Sequence, residues 1–406
     1  MSGRAKLSKL CRKFFEKTLT DVEKGLYIEK WKISTEELGL CDECGIEKCR
    51  LYGGLSDCVD VVEVDNGRLS FTVVPTRGMG IWKGSFEGVP LGWNSPVKSL
   101  VHPSFVNLEA RGGLGWLDGF NEWIVRCGIE NFGAPGPDVI TDNMGNKKEV
   151  MLTLHGKIAN IPASIVKARI GLEEPYELGV TGVVHERSMF GSNFRMDTEI
   201  TTTPKGNSIK IVDTIRNLRS VPDEMQILYH CNYGSPFLEE DSRLVAPIQE
   251  VVPRDPRAAE GIKEFELFGP PEAGFVEQVF FFRLKGDEEG RTLVMLVNSD
   301  ETKAVSISFS VKQLPCFTLW KNTNSLGEGY VVGLEPGTSY PNTRAFEREH
   351  NRVVQLQPGE NYRSEINLSV HLGSDDVQRV KERIDEIGKG IEPKIFDKPV
   401  KEFSPY

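Results

Sequence analysis

The chain has 406 residues, of which 39% are hydrophobic and 27% are charged, and its formal net charge is −10. This composition is typical of a globular protein with a large core and excludes a disordered chain. The acidic balance argues against sequence-independent binding of nucleic acid, which needs a clustered basic surface, and no apolar run approaches the ~18 residues of a membrane span.

The start of the chain is predicted to be helical. Leu7, Leu10, Phe14 and Val22 recur at helical intervals among charged residues, which predicts an amphipathic helix from Leu7 to Val22. The same segment lacks the apolar core of a signal peptide. A cytoplasmic protein is therefore expected.

The cysteines do not form the pattern of a disulfide scaffold. Eight cysteines in a chain of this length are sparse, and most are expected to be free thiols in a reducing compartment. Cys41, Cys44 and Cys49 leave two interpretations open. They could hold zinc or act in redox chemistry, with Cys58 as a fourth ligand, or they could be three loop thiols.

Strand-like alternation of apolar and polar residues begins at Val59 and dominates up to residue 372. Its clearest hairpin has the Asn66-Gly67 turn between residues 60–64 and 68–74. The pattern predicts further strands at residues 196–203, 208–216, 279–284, 292–298, 305–311, 316–320 and 365–372. The proline-rich residues 247–274 are expected to be an excursion beside the core. A large antiparallel β-sandwich, an all-β fold, is the economical architecture.

The chain ends in a predicted helix and an extended tail. Ser374 is a suitable N-cap, and Gly388 marks the end of the helix. Its apolar face is formed by Val377, Val380, Ile384 and Ile387. We therefore divide the chain into a helical, Cys-bearing extension (1–58), a β-sandwich domain (59–373), and a C-terminal helix and tail (374–406).

Three segments carry side chains suited to acid–base chemistry. They are Leu154-His155-Gly156, Tyr229-His230-Cys231-Asn232-Tyr233, and Gly333-Leu334-Glu335-Pro336-Gly337. The proline and glycine after Glu335 predict that this carboxylate is held on a rigid turn.

In order and spacing these segments resemble the aldose 1-epimerase (galactose mutarotase-like) family. That family has a Leu-His-Gly turn, a second His beside an Asn or aromatic residue, and a late Glu-Pro before a Pro-Gly-Glu strand, which here is Pro358-Gly359-Glu360. The match is closer to one branch of the family, through residues 127–133, 155–160 and 241–247, and it extends from about Val61 to Leu372. It implies a mutarotase-like supersandwich and an isomerase that interconverts α and β anomers without cofactor or metal.

The resemblance also implies roles for individual residues. Glu335 would be the catalytic base, His230 the acid, and His155 and Arg77 would orient the sugar. Residue type and sequence context, apart from the resemblance, add Asn131, Asn232 and Asp118 as candidates for sugar contacts.

Structural interpretations of the same residues stay open. Glu335 could be a surface carboxylate, His230 a core histidine and Arg77 an ordinary ion-pairing residue. The family's acidic residue in a Gly-Leu-Asp-like motif has no counterpart between His230 and Glu335, so the identity of the sugar is open.

Two further functions are compatible with the sequence. One is a carbohydrate-binding or sensor protein without turnover. The other is an isomerase for a phosphorylated or acidic sugar, with Arg77 and Lys157 binding the anion. In each case the expected partner is a small sugar and not a nucleic acid or a membrane, and the formation of a homo-oligomer is left open.

Overall fold

The computed structural model describes residues 13–40 and 43–406, and most of its regular structure is β. Short strands rich in Val, Ile, Phe and Thr alternate with tight turns, as such residues favour a pleated, half-buried surface. The first strands are β1 (Phe14–Asp21), β2 (Leu26–Tyr27), β3 (Trp31–Ser34), β4 (Gly45–Arg50), β5 (Asp60–Asp65), β6 (Leu69–Val74), β7 (Gly80–Phe86), β8 (Val89–Leu91), β9 (Ile124–Ile129), β10 (Gly136–Thr141), β11 (Lys147–Leu152), β12 (Ile165–Gly171) and β13 (Leu178–Arg187).

The second half of the chain continues the same pattern. Its strands are β14 (Asn193–Thr202), β15 (Ser208–Asn217), β16 (Asp223–Tyr233), β17 (Arg243–Val245), β18 (Ile248–Pro253), β19 (Gln278–Leu284), β20 (Arg291–Val297), β21 (Lys303–Ser310), β22 (Cys316–Thr323), β23 (Tyr330–Gly337), β24 (Val354–Leu356), β25 (Asn361–Leu372) and β26 (Lys394–Ile395). The helices are α1 (Ala110–Gly113), α2 (Pro256–Glu260), α3 (Arg344–Glu349) and α4 (Ser374–Gly388), with single 3₁₀ turns at Glu36–Leu38, Gly54–Ser56, Pro103–Phe105, Gly115–Gly119, Ile158–Asn160 and Ile262–Glu264. No helix in the described part of the chain is long and apolar enough to cross a membrane.

The strands form two large sheets. The ten-stranded sheet has the order β17-β20-β21-β25-β15-β14-β13-β12-β1-β2. The fourteen-stranded sheet has the order β26-β18-β19-β22-β23-β16-β9-β7-β6-β5-β4-β3, with β8 attached to β7 and β24 to β16. The hairpin β10–β11 stands apart from both. The predicted antiparallel β-sandwich is therefore confirmed.

The core between the sheets also contains a polar link. Arg126 on β9 donates two hydrogen bonds to Asp213 on β15, at 2.6 and 3.0 Å, and Tyr229 on β16 donates its hydroxyl to the same carboxylate at 2.7 Å. Because side chains alternate along a strand, Tyr229 points into this core and His230 points to the outer face of the fourteen-stranded sheet. The candidate site lies on that outer face.

The predicted helix at the N-terminus is wrong over its described part. Phe14–Asp21 is strand β1, paired with β12, and residues 7–12 lie outside the described residues. Leu19 is buried in the main core while Thr18 and Thr20 flank it, so pairing at the sheet edge overrides a weak helical period. Strands β1 and β2 belong to the ten-stranded sheet, and β3 and β4 belong to the fourteen-stranded sheet, so this segment is not a helical extension.

The predicted strands after residue 59 are confirmed within a few residues, and so is α4 with its buried apolar face. The N-cap of α4 is Gly373 and not Ser374. Strands β19 and β20 are consecutive in the chain but lie in different sheets. Residues 247–274 are not an excursion, because they include β18 and bury Val251 and Phe268 in the core.

Candidate active site

A cavity of about 220 Å³ opens on the outer face of the fourteen-stranded sheet. It is smaller than the ~300–1,000 Å³ of sites for drug-sized ligands. His155, His230 and Glu335, which come from three separate segments of the sequence, all line it. The fold therefore brings together the three residues on which the acid–base interpretation depends.

His230 and Glu335 are neighbours across two adjacent strands. Pairing of Cys231 with Leu334 places His230 on β16 opposite Glu335 on β23. His230 Nε2 lies 3.1 Å from Glu335 Oε1, and the two residues are 4% and 3% exposed. Glu335 is thus on a buried strand and not on the predicted turn, because the strand continues through Pro336 to Gly337.

Burial sets the charge of this pair. It raises the pKa of Glu335 well above the usual value of a glutamate and lowers the pKa of His230 well below that of a free histidine. The contact at 3.1 Å is not a well-directed hydrogen bond, and Glu335 Oε1 has no hydrogen-bond partner among residues 13–40 and 43–406. Two buried groups this close titrate together, so the neutral pair holds one titratable proton between Glu335 and His230, in addition to the hydrogen on His230 Nδ1.

Asn232 fixes the orientation of His230. Its Nδ2 donates to the carbonyl oxygens of Glu122 and His230, which leaves Oδ1 to accept from His230 Nδ1 at 2.6 Å. With the hydrogen on Nδ1, the other ring nitrogen, Nε2, faces Glu335. Asn232 lies behind the histidine, so its predicted role as a direct sugar contact is replaced by support of His230.

His155 is held by a strained turn. Its φ is 57°, in the left-handed region that few residues other than glycine adopt. Nδ1 donates to the carbonyl of Phe132 at 2.9 Å, so Nε2 is left as an acceptor. Burial lowers the pKa of His155 to about 4, which keeps the ring neutral at pH 7. A Cβ on Gly156 would lie 2.1 Å from the carbonyl oxygen of Asn131, so the turn requires glycine there.

Aromatic rings wall the cavity. Trp116 and Phe120 come from the 3₁₀ turn Gly115–Gly119 and the residue after it, and Trp320 comes from β22. The ring centroids of Phe120 and Trp320 lie 5.1 and 5.3 Å from the ring centroid of His230, in edge-on contact. The ring centroid of Trp116 lies 4.5 Å from that of His155. Flat apolar faces of this kind pack against the C–H face of a small ligand and exclude water.

Sequence reasoning missed a charged pair in the cavity wall. Arg254, directly after β18, donates to Asp255 at 2.8 Å and to Glu277 at 3.1 Å, and Glu277 also accepts from Trp320 Nε1 at 2.7 Å. Both Arg254 and Glu277 line the cavity. The signal that could have found them is their position at the ends of β18 and β19, which the assignment of residues 247–274 to an excursion concealed.

Besides Asn232, three predicted contacts, Arg77, Asn131 and Asp118, do not line the cavity. Arg77 is fully buried and donates to Glu122 at 2.6 Å, so it is an ion-pairing residue of the interior. Asn131 donates to the carbonyl of Thr153 and supports the His155 turn.

Asp118 points outward and pairs with Arg111 at the surface. Lys157 pairs with Glu130 at 2.9 Å and is also outside the cavity wall. The proposed anion site formed by Arg77 and Lys157 is therefore not assembled.

The cysteine cluster is only partly described. Cys41 lies outside the described residues, Cys44 is buried, and Cys49 lies on β4. Within the described ranges no three His, Cys, Asp or Glu residues come together as a set of metal ligands.

Comparisons with known proteins agree with the fold. The family described as "Domain of unknown function (DUF4432)" matches residues 56–370. A crystal structure from Klebsiella pneumoniae subsp. pneumoniae, described as a "putative aldose 1-epimerase", is 36% identical with a TM-score of 0.90, over 96% of this chain and 99% of that one. A search of curated proteins gave no match.

Two more distant structures are similar in fold alone. A galactose mutarotase-like protein from Clostridium acetobutylicum is 16% identical with a TM-score of 0.53, over 80% of this chain and 98% of that one. The Slr1438 protein from Synechocystis is 14% identical with a TM-score of 0.52, over 77% and 96% of the two chains.

Proposed function

The chain belongs to the DUF4432 family and has a galactose mutarotase-like fold, and from this premise we propose that it is a sugar 1-epimerase. The observation that carries the proposal is the contact between His230 Nε2 and Glu335 Oε1 in a cavity walled by aromatic rings. Binding alone does not require a carboxylate and an imidazole that share a proton.

The proposed reaction opens and recloses a pyranose. The reactive state of the pair has its shared proton on His230 Nε2 and Glu335 ionised. Glu335 takes the proton of the anomeric hydroxyl, the bond between the anomeric carbon and the ring oxygen breaks, and His230 gives its Nε2 proton to the ring oxygen. Both oxygens are bonded to the same carbon, so two groups 3.1 Å apart suit them. After rotation about the adjacent bond the steps reverse and give the other anomer. Each residue regains its starting proton state, so the cycle consumes no cofactor.

The remaining wall residues support binding. Neutral His155 offers Nε2 as an acceptor for a sugar hydroxyl. Glu277, fixed by Arg254 and Trp320, offers further carboxylate lone pairs at the cavity edge. Because the Arg254 guanidinium already contacts two carboxylates, its charge is compensated, and this favours an uncharged sugar over a phosphorylated or acidic one.

The test is NMR of anomer exchange on neutral, phosphorylated and acidic sugars, with wild-type protein beside Glu335→Gln and Glu360→Gln. Glu360 is an exposed carboxylate outside the cavity, so its variant controls for the change of residue type. We expect acceleration for a neutral sugar by the wild type and the control, and a loss of at least ~100-fold in Glu335→Gln. A sugar that binds without accelerated exchange would instead identify a carbohydrate-binding protein.

A further inference from the structure

Thr318 is a buried polar residue beside the catalytic pair that the proposed acid–base cycle does not use. It lies on β22 directly opposite Glu335 on β23. Side chains opposed in this way have Cβ atoms ~4.5–5.5 Å apart on the same face of the sheet. Thr318 lines the cavity and is 1% exposed.

The Thr318 hydroxyl has no hydrogen-bond partner among the residues that the structure describes. Leaving such a group buried and unpaired is unfavourable, because the hydroxyl has lost its hydrogen bonds to water without replacement. Packing does not require it, because valine has nearly the same shape and a similar preference for strands. A hydroxyl at this position, adjacent to Glu335 Oε1, which contacts His230 Nε2 at 3.1 Å but accepts no hydrogen bond from the described residues, is therefore explained by a polar ligand between the two.

We propose that the Thr318 hydroxyl binds the anomeric oxygen of the substrate and donates a hydrogen bond to it, an inference that rests on the proposed function. The anomeric hydroxyl donates its hydrogen to Glu335 and accepts from Thr318 Oγ1. As its proton moves to Glu335 and the ring C–O bond breaks, the anomeric oxygen gains negative charge before it becomes the carbonyl oxygen of the open chain. A fixed donor at this oxygen therefore binds the transition state more tightly than the ground state.

If Thr318 has this role, removal of its hydroxyl should lower activity without lowering stability. Thr318→Val removes the hydroxyl and keeps the shape of the side chain. Because the hydroxyl has no partner in the described protein, its removal should leave the melting temperature unchanged or slightly higher. At the same time kcat/KM should fall about tenfold or more, through a higher KM as well as a lower kcat.

A matched control is available in the ten-stranded sheet. Thr292 on β20 is also 1% exposed with an unpartnered hydroxyl, and it does not line the cavity. Thr292→Val should resemble Thr318→Val in melting temperature and keep the wild-type kcat/KM. Thr318→Ser, which restores a hydroxyl, should recover most of the activity.

The experiment combines thermal melting with NMR exchange kinetics on the sugar that the wild type turns over best. Wild-type kcat/KM in Thr318→Val would overturn the proposal, as would a fall in activity that Thr318→Ser does not recover. If the wild type accelerates no sugar, the proposed function fails first. Titration of the same sugars into wild type and Thr318→Val then tests the contact separately, and equal affinities would overturn it.

Discussion

His230 and Glu335 stand opposite each other on β16 and β23 where the ladder between these strands is interrupted. Paired residues are present on both sides, at Leu228 with Gly337 and at Cys231 with Leu334, but not between them. Pro336 lies in this gap and has no backbone N–H to contribute. The sheet thus presents an acid–base pair on rigid strands, and this geometry determines how the site should respond to pH and to small displacements.

The pH profile of kcat/KM should report the shared proton. The active form has one proton on the pair, placed on His230 while Glu335 is ionised. Burial lowers the pKa of His230 below the usual value of about 6.5 and raises the pKa of Glu335 above about 4.5. The acidic limb, along which the pair gains a second proton and activity is lost as pH falls, should therefore have an apparent pKa below 6.5 that belongs to the pair. A limb at or above 6.5 would contradict the assignment.

Asn232 should control the acidic limb of the same profile. Its acceptor Oδ1 stabilises the cationic form of His230 and so raises the pKa of that ring. Asn232→Leu removes the acceptor, so the acidic limb should move to lower pH and kcat/KM should fall by about tenfold. A lower kcat/KM at all pH values with unmoved limbs would indicate a purely structural role.

A substitution at Gly333 tests how strongly activity depends on the position of the Glu335 carboxylate. A Cβ at this position would lie 2.5 Å from Glu335 Oε1 and 3.1 Å from His230 Cε1. Gly333→Ala should push the carboxylate aside and lower kcat by ~100-fold, because a shift of about 1 Å costs this much. Gly327→Ala is the control, since a Cβ there meets nothing within 4 Å. Wild-type kcat in Gly333→Ala would show that the position of Glu335 is not critical.

The three central residues could be predicted from sequence because their local motifs are distinctive. His155 needs a glycine after it to make its turn, and Glu335 is followed by proline. The pairing of strands brings these residues together in one cavity, and the order of the motifs along the chain follows that pairing.

The rest of the site depends on contacts between distant segments. Arg254 and Glu277 are 23 residues apart and meet only because β18 pairs with β19. Thr318 is indistinguishable in sequence from any strand threonine until its register with Glu335 is known. The role of Arg77 could not be read from the sequence, because a buried ion pair and a substrate contact have the same sequence appearance.

His155 should make stability depend on pH. Burial lowers its pKa from 6.5 to about 4. The stability that the neutral ring contributes is therefore fully present above pH 6.5 and is lost as pH falls through 4. His155→Asn suits the left-handed backbone and does not titrate. The free energy of unfolding of the wild type should therefore fall, relative to this variant, by roughly 2 kcal/mol between pH 7 and 4. Chemical denaturation at both pH values measures the difference, and a constant difference would contradict the shift.

Arg77 should affect stability and not substrate binding. It and Glu122 are both fully buried and bonded at 2.6 Å, so Arg77→Met leaves an uncompensated carboxylate and should cost ~3–5 kcal/mol of unfolding free energy. Arg111→Met breaks only exposed contacts, the pair with Asp118 and a hydrogen bond to the Leu114 carbonyl at 3.3 Å, and should cost less than ~1 kcal/mol. Because neither arginine lines the cavity, KM measured well below each melting temperature should stay at the wild-type value. A raised KM in a stably folded Arg77→Met would restore the substrate contact predicted from the sequence, because loss of the ion pair alone leaves the cavity wall intact.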